Sequence, residues 1–235
     1  MPTLRGRVHV LLQEPKKERI TKMKKFIEEF LEKKVIVVCR GIAEDEIVNV
    51  AQALYDGGIC FMEVPFDQKN TDTFESTARK ISAVRKALDG KMHVGAGTVI
   101  TMEQFELAKN AGAEIIVSPT WEEDVIVATK EAGLVSMPGC TTPSEVTKAY
   151  KLGGDLIKLF PASVLTLKTI KEISVPLNHI PLVCFGGVNA ENIVEVLSAG
   201  VVGVGMAGSV LDKEALANKN YKKITELAKA VTEQI

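Results

Sequence analysis

One alternation, repeated eight times, constrains this chain more than any other feature. Short apolar, β-rich runs at Val35–Cys39, Ile59–Val64, Met92–Gly95, Glu114–Val117, Leu134–Met137, Asp155–Phe160, Leu182–Phe185 and Val201–Val204 are separated by stretches with helical spacing. The helical stretches lie near residues 44–57, 71–88, 101–112, 121–132, 143–152, 165–173 and 189–199, with a last one near 213–233. Thr101, Thr142-Pro143 and Asn189 read as helix starts. Gly57, Gly112, Gly133, Gly153 and Gly200 read as helix ends. Strands that alternate with helices require a parallel sheet covered by helices. Eight such units in 235 residues predict an α/β chain closed into a (β/α)8 TIM barrel rather than an open sheet. No Gly-x-Gly-x-x-Gly opens a helix after the first run, which weighs against a dinucleotide-binding fold.

An extra basic amphipathic helix is expected over Lys16–Lys34, with Ile20, Met23, Phe26, Ile27 and Phe30 at helical spacing. Residues 1–15 read as an irregular N-terminal arm, and residues 16–235 as one barrel domain that includes this helix. No apolar run reaches the roughly 20 residues that a bilayer-spanning helix needs. Leu11-Leu12 is too short an apolar region for a signal peptide. With 29 basic against 30 acidic residues, the net charge of −1 gives no argument for nucleic acid or a membrane surface as partner. Cys39, Cys60, Cys140 and Cys184 are scattered without a C-x-x-C pair, so buried reduced thiols and a cytoplasmic location are expected. His9, His93 and His179 are dispersed, and no His/Asp/Glu grouping has metal-ligand spacing. No metal is therefore expected.

In such a barrel the chemistry lies at the C-terminal ends of the strands. The sixth run, Asp155–Phe160, carries Lys158 among apolar neighbours, on one face with Leu156 and Phe160. A lysine deprived of water loses its proton more easily and can attack a carbonyl as a neutral amine. The competing reading is a side chain that snorkels from a strand end to solvent. Glu63 shares a face with Phe61 in the second run. It suits a proton shuttle with a raised pKa, or else a structural ion pair with Arg40 or Lys158. Gly186-Gly187 and Gly208-Ser209 follow the seventh and eighth runs, where barrels often hold a phosphate on backbone N–H groups, although tight turns alone would also use them. Thr98 offers a hydroxyl to a substrate or starts a helix. Arg40 clamps a carboxylate or neutralises Glu63. Trp121 is expected at the barrel rim.

The motifs Gly57-Gly58, Met62-Glu63-Val64, Gly95-Ala96-Gly97-Thr98-Val99, Val117-Ser118-Pro119, Met137-Pro138-Gly139, Thr142-Pro143-Ser144-Glu145, Ile157-Lys158-Leu159-Phe160-Pro161-Ala162, Gly186-Gly187-Val188-Asn189 and Gly208-Ser209 stand in this order across residues 35–211. Together they resemble the KDPG/KHG aldolase family, class I aldolases that cleave 2-keto-3-deoxy-6-phosphogluconate or 2-keto-4-hydroxyglutarate. The resemblance implies a small-molecule 2-keto acid as substrate, no cofactor, and a homotrimer. It casts Lys158 as the Schiff-base lysine and Glu63 as the general acid/base. Thr98 and Arg40 would hold the pyruvate-derived carboxylate, and Pro119 and Phe160 would line the pocket. Gly186, Gly187, Gly208 and Ser209 would hold a distal phosphate. Many members have threonine two residues after the glutamate and some have arginine four after it; this chain reads Glu63-Val64-Pro65-Phe66-Asp67. The substitution of a carboxylate for a cation leaves the reaction type intact and puts the substrate's identity in question. A barrel isomerase or decarboxylase with the same anion site, and a non-catalytic metabolite-binding barrel, are the alternatives. A buried amine beside a carboxylate argues against the binder.

Overall fold

The computed structural model describes residues 16–235, so the expected arm at 1–15 lies outside the described residues. A first helix, α1 (Lys16–Lys33), leads into β1 (Val35–Val38). The remaining strands are β2 (Phe61–Pro65), β3 (His93–Gly97), β4 (Ile115–Val117), β5 (Val135–Met137), β6 (Gly139–Cys140), β7 (Ile157–Leu159), β8 (Leu182–Phe185) and β9 (Gly203–Met206). Between them run α2 (Ile47–Asp56), α3 (Phe74–Ala87), α4 (Met102–Asn110), α5 (Glu123–Ala132), α6 (Pro143–Lys151), α7 (Leu167–Ser174) and α8 (Ile193–Ser198). Every pairing is parallel, in the order β5-β4-β3-β2-β1-β9-β8-β7-β6.

The two ends of that row, β5 and β6, are halves of one stave interrupted at Pro138. Proline has no N–H to give to a ladder, so the regular pairing breaks there. Its carbonyl still serves: Lys158 N–H donates to Pro138 O at 2.9 Å, and Asp155 N–H to Ser136 O at 2.9 Å. These bonds carry the ring round to β7. The result is a TIM-barrel-like fold, nearly closed, of nine parallel strands that read as eight staves, as the alternation predicted.

Side chains divide by strand parity. Val35, Val37, Met62, Val64, Ile157 and Leu159 face outward into the layer between sheet and helices. Ile36, Phe61, Leu156, Val183 and Phe185 face inward. The lower interior is filled from outside the strand ring: α1 places Phe26 and Phe30 with ring centroids 5.0 and 5.3 Å from Phe61, both edge-on. A bottom closed by aromatic packing leaves the opposite, C-terminal end as the open one.

Several expected boundaries move. The third run ends not at Gly95 but at Gly97, and the eighth strand is Gly203–Met206 rather than 201–204. The expected helix over 213–233 is two helices, α9 (Lys213–Ala217) and α10 (Tyr221–Thr232). They are separated where Lys219 takes φ 51° and where the Asn220 side chain accepts from Lys223 N–H to start the second. Thr101 and Thr142 begin helices as expected, each with a reciprocal bond from Gln104 or Glu145 three residues on. Asn189 does not begin one. Its Oδ1 accepts from Glu191 and Asn192 N–H in the turn before α8.

Candidate active site

At the C-terminal mouth of the barrel lies a cleft of about 460 Å³. Arg40, Glu63, Thr98, Pro119, Lys158, Phe160, Gly186, Gly187, Gly208 and Ser209 all line it. Every residue that sequence reasoning placed at the site is thus brought to one concavity. Phe185, Asn189, Val38 and Met206 line it as well and were not anticipated as site residues. Trp121 borders a different, wider groove with Glu122, Glu123, Asp124 and Glu145, which contains neither Lys158 nor Glu63. Asp67 lines neither groove; its Oδ1 accepts from Lys69 N–H within its own loop.

Lys158 is 7% exposed and Glu63 2% exposed. Both belong to the inward parity of their strands, Glu63 two residues after Phe61 and Lys158 two after Leu156. Register sets Lys158 between Gly139 and Val183, and Glu63 between Val38 and Gly95. The ammonium nitrogen of Lys158 lies 4.6 Å from the ring centroids of both Phe160 and Phe185. Phe185 can lie there because its neighbour in β9 is Gly205: a Cβ at that glycine would fall 2.1 Å from the ring. The snorkelling alternative fails on this burial.

Burial lowers the Lys158 pKa from the usual lysine range; the Glu63 carboxylate opposes that shift and Arg40 assists it. Burial also pushes the Glu63 carboxyl up to about 7, against the pull of Lys158 and Arg40. Oε2 of Glu63 is buried and accepts no hydrogen bond. An orphaned buried oxygen is expensive, and no ion pair among the described residues satisfies this one, which packs against Gly97. The carboxyl group as a whole lines the cleft, where it can exchange a proton with a bound molecule. The same pair has moved in complementary directions, an amine that gives up its proton readily and an acid that exchanges one near neutral pH.

Thr98 adopts φ 56°, an unusual backbone for a β-branched residue. Its hydroxyl accepts from an Arg40 guanidinium N–H at 3.2 Å. On the far side, Gly186 and Gly187 take φ 106° and 76°, and Ser209 donates to Val188 O at 3.0 Å, which joins the loops after β8 and β9. Among the described residues no group of three His, Cys, Asp or Glu is arranged to hold a metal ion.

The model of the KDPG and KHG aldolase family matches residues 27–227. A 2-dehydro-3-deoxy-6-phosphogalactonate aldolase of Escherichia coli (strain K12) is 29% identical over 202 residues, 86% of this chain and 96% of that protein. A 2-dehydro-3-deoxy-phosphogluconate aldolase of Treponema pallidum (strain Nichols) is 29% identical over 78% of this chain and 85% of its own length. Among solved structures, the KDPG aldolase of Legionella pneumophila, with pyruvate captured as a covalent carbinolamine intermediate, superposes with a TM-score of 0.76. It is 28% identical and spans 86% of this chain and 95% of its own. With barrel, buried lysine and buried glutamate in place, the chain belongs to the KDPG and KHG aldolase family of carbon–carbon lyases.

Proposed function

We propose that this protein is a class I aldolase that cleaves a 2-keto-4-hydroxy acid to pyruvate and an aldehyde, with Lys158 as nucleophile and Glu63 as proton shuttle. The observation that carries the reading is the joint burial of Lys158 and Glu63, with one oxygen of Glu63 unpartnered and facing no structural donor. The neutral amine adds to the C2 carbonyl to give a carbinolamine, which loses water to an iminium. Glu63 takes the C4 hydroxyl proton. The C3–C4 bond breaks, its electron pair flows into the iminium, and the aldehyde leaves. Glu63 returns the proton to C3 of the enamine, and hydrolysis frees pyruvate and the amine. The iminium is itself the electron sink, so the reaction needs no cofactor.

Arg40 and Thr98, joined by a hydrogen bond at the mouth, suit the pyruvyl carboxylate. Pro119 and Phe160 form its walls. The paired loops at Gly186-Gly187 and Gly208-Ser209 suit a distal phosphate, as in a 2-keto-3-deoxy sugar acid. A 2-keto-4-hydroxyglutarate would place a carboxylate there instead. Four buried, unpaired cysteines support a reducing, cytoplasmic setting. The residues 16–235 read as one domain, and the family resemblance supports a homotrimer.

Borohydride added with pyruvate should leave a reduced three-carbon adduct on Lys158, found by peptide mass mapping, and activity should survive EDTA. An adduct confined to another lysine would overturn the assignment.

A further inference from the structure

We propose that Gln68 and Gln104 form an amide relay that fixes the Thr98 carbonyl, and through it sets the position of the Thr98 hydroxyl in the cleft. The inference rests on the aldolase reading of that cleft. Thr98 sits in the left-handed region, where a β-branched side chain persists only if its surroundings hold it. Its flanks are tied on either side: Phe66 N–H donates to Gly97 O at 2.9 Å, and Val99 N–H to Val117 O at 3.2 Å. The carbonyl of Thr98 itself receives a side-chain donor, Gln68 Nε2 at 2.8 Å.

Gln68 is exposed, in the loop that follows β2, so water competes for its amide. Gln104 orients it. The Gln104 side chain is wholly buried, and its Oε1 accepts from Ile100 N–H at 2.8 Å and Thr101 N–H at 3.2 Å. That assignment leaves Nε2 as donor, and it reaches Gln68 Oε1 at 2.8 Å. The oxygen of Gln68 is thereby used as acceptor, which turns its own NH2 toward Thr98 O. Each amide has only one orientation that satisfies the chain.

The start of α4 requires only the Thr101 hydroxyl and the Gln104 oxygen. The Gln104 nitrogen is surplus to that cap, and everything it does runs through Gln68 to Thr98. The relay ends at Thr98, whose hydroxyl meets Arg40 in the cleft. Gln68 and Gln104 are positioning residues: they touch no reacting atom and act through Thr98.

Gln68→Ala, Thr98→Gly and the double variant should be compared in cleavage kinetics, in pyruvate titration of the borohydride-trapped Lys158 adduct, and in thermal midpoint. Gln68→Ala is expected to raise KM and half-saturating pyruvate about tenfold, the upper range for one hydrogen bond, with kcat little changed. Its midpoint should fall by a few degrees, because the buried Gln104 Nε2 loses its acceptor. The split between KM and kcat, measured where the variant is folded, is therefore the readout that reports the relay. Glycine accepts the left-handed backbone freely and lacks the hydroxyl. In the Thr98→Gly background the Gln68 change should therefore add nothing. Gln68→Glu should fail to restore KM, since a carboxylate accepts from Gln104 but cannot donate to Thr98 O. An unchanged KM in Gln68→Ala, or an equal loss in both backgrounds, would overturn the relay while the wild-type adduct on Lys158 still upholds the aldolase reading. Absence of that adduct in the wild type overturns the aldolase reading, and the relay with it.

Discussion

A Cβ built on Gly97 falls 1.8 Å from Oε2 of Glu63, so the glycine at the end of β3 is what leaves room for the carboxylate. Gly97→Ala should displace the Glu63 head while it leaves Lys158 on its own strand. The expected result is retained adduct formation with pyruvate, with cleavage and pyruvate C3 proton exchange slowed by about 10²–10⁴-fold, the usual worth of a positioned acid–base group. Proton exchange followed by NMR checks this, and a wild-type rate would show that the carboxylate finds its place without the space. Lys158 and Glu63 stood out in the sequence because each is a charge inside an apolar run, although a snorkelling lysine and a structural ion pair compete with that reading until burial and position in the cleft are known. Phe185 did not: a phenylalanine that ends an apolar strand looks like any core residue, and its place against the lysine depends on Gly205 across the ladder. Gln68 gave no signal either, since a polar residue in a loop is the commonest thing a sequence contains. Asp67 drew attention as a departure from the family pattern, yet its carboxylate caps its own loop.

At the scale of elements, the mouth is defined as much by what blocks the other end. The α1 rings of Phe26 and Phe30 fill the barrel bottom against Phe61, which in turn stacks on His93 at 4.7 Å. Phe30 is fully buried, and its truncation to alanine should cost about 3–5 kcal/mol, a loss of aromatic area plus a cavity. The site lies at the opposite end, so Phe30→Ala should lower the thermal midpoint while pyruvate still traps on Lys158 at temperatures where the protein is folded. Loss of trapping in the folded variant would show that the bottom plug shapes the mouth. The helix itself was readable from the spacing of Met23, Phe26, Ile27 and Phe30, but its docking place was not, because an amphipathic stripe does not name the surface it covers. Periodicity likewise located eight staves yet missed the break at Pro138. That break follows from the missing N–H, while the carbonyls on either side keep the ring joined to β7. The division of the last helix escaped for a similar reason. Lys219, at φ 51°, gives no compositional hint of a left-handed turn.

For the whole molecule, burial of Lys158 and Glu63 has a thermodynamic consequence that pH exposes. Glu63 holds its proton more tightly folded than unfolded, because burial raises its pKa to about 7 from an ordinary 4.5. Across that interval the unfolded chain releases the proton while the folded chain keeps it, so stability falls as pH rises. At about 1.4 kcal/mol per pH unit, the interval amounts to about 3 kcal/mol, a large share of a typical folding free energy. His93 slopes the same way. Its burial alone would lower its pKa, but hydrogen bonds with Glu114 and Glu29, each at 3.2 Å, outweigh that and raise it. The stabilisation His93 gives is present below its unfolded pKa of 6.5 and is lost as pH rises through the folded value. Lys158 runs in the opposite sense. Its lowered folded pKa returns stability as pH climbs from that value toward 10.5. Wild-type protein should therefore lose thermal stability between pH 4.5 and 7, at about 2–4 °C per kcal/mol for a chain of this size. Glu63→Gln removes the titrating carboxyl and should flatten that fall, with any slope that remains above pH 6.5 traceable to His93 through a His93→Phe variant. Removal of the carboxylate also frees Lys158 to lose its proton sooner, which adds a rise rather than a fall. Thermal midpoints of wild type and Glu63→Gln across this range provide the measurement. Parallel curves would mean that Glu63 stays ionised near its ordinary range in the folded protein, and that its burial does not raise its affinity for a proton.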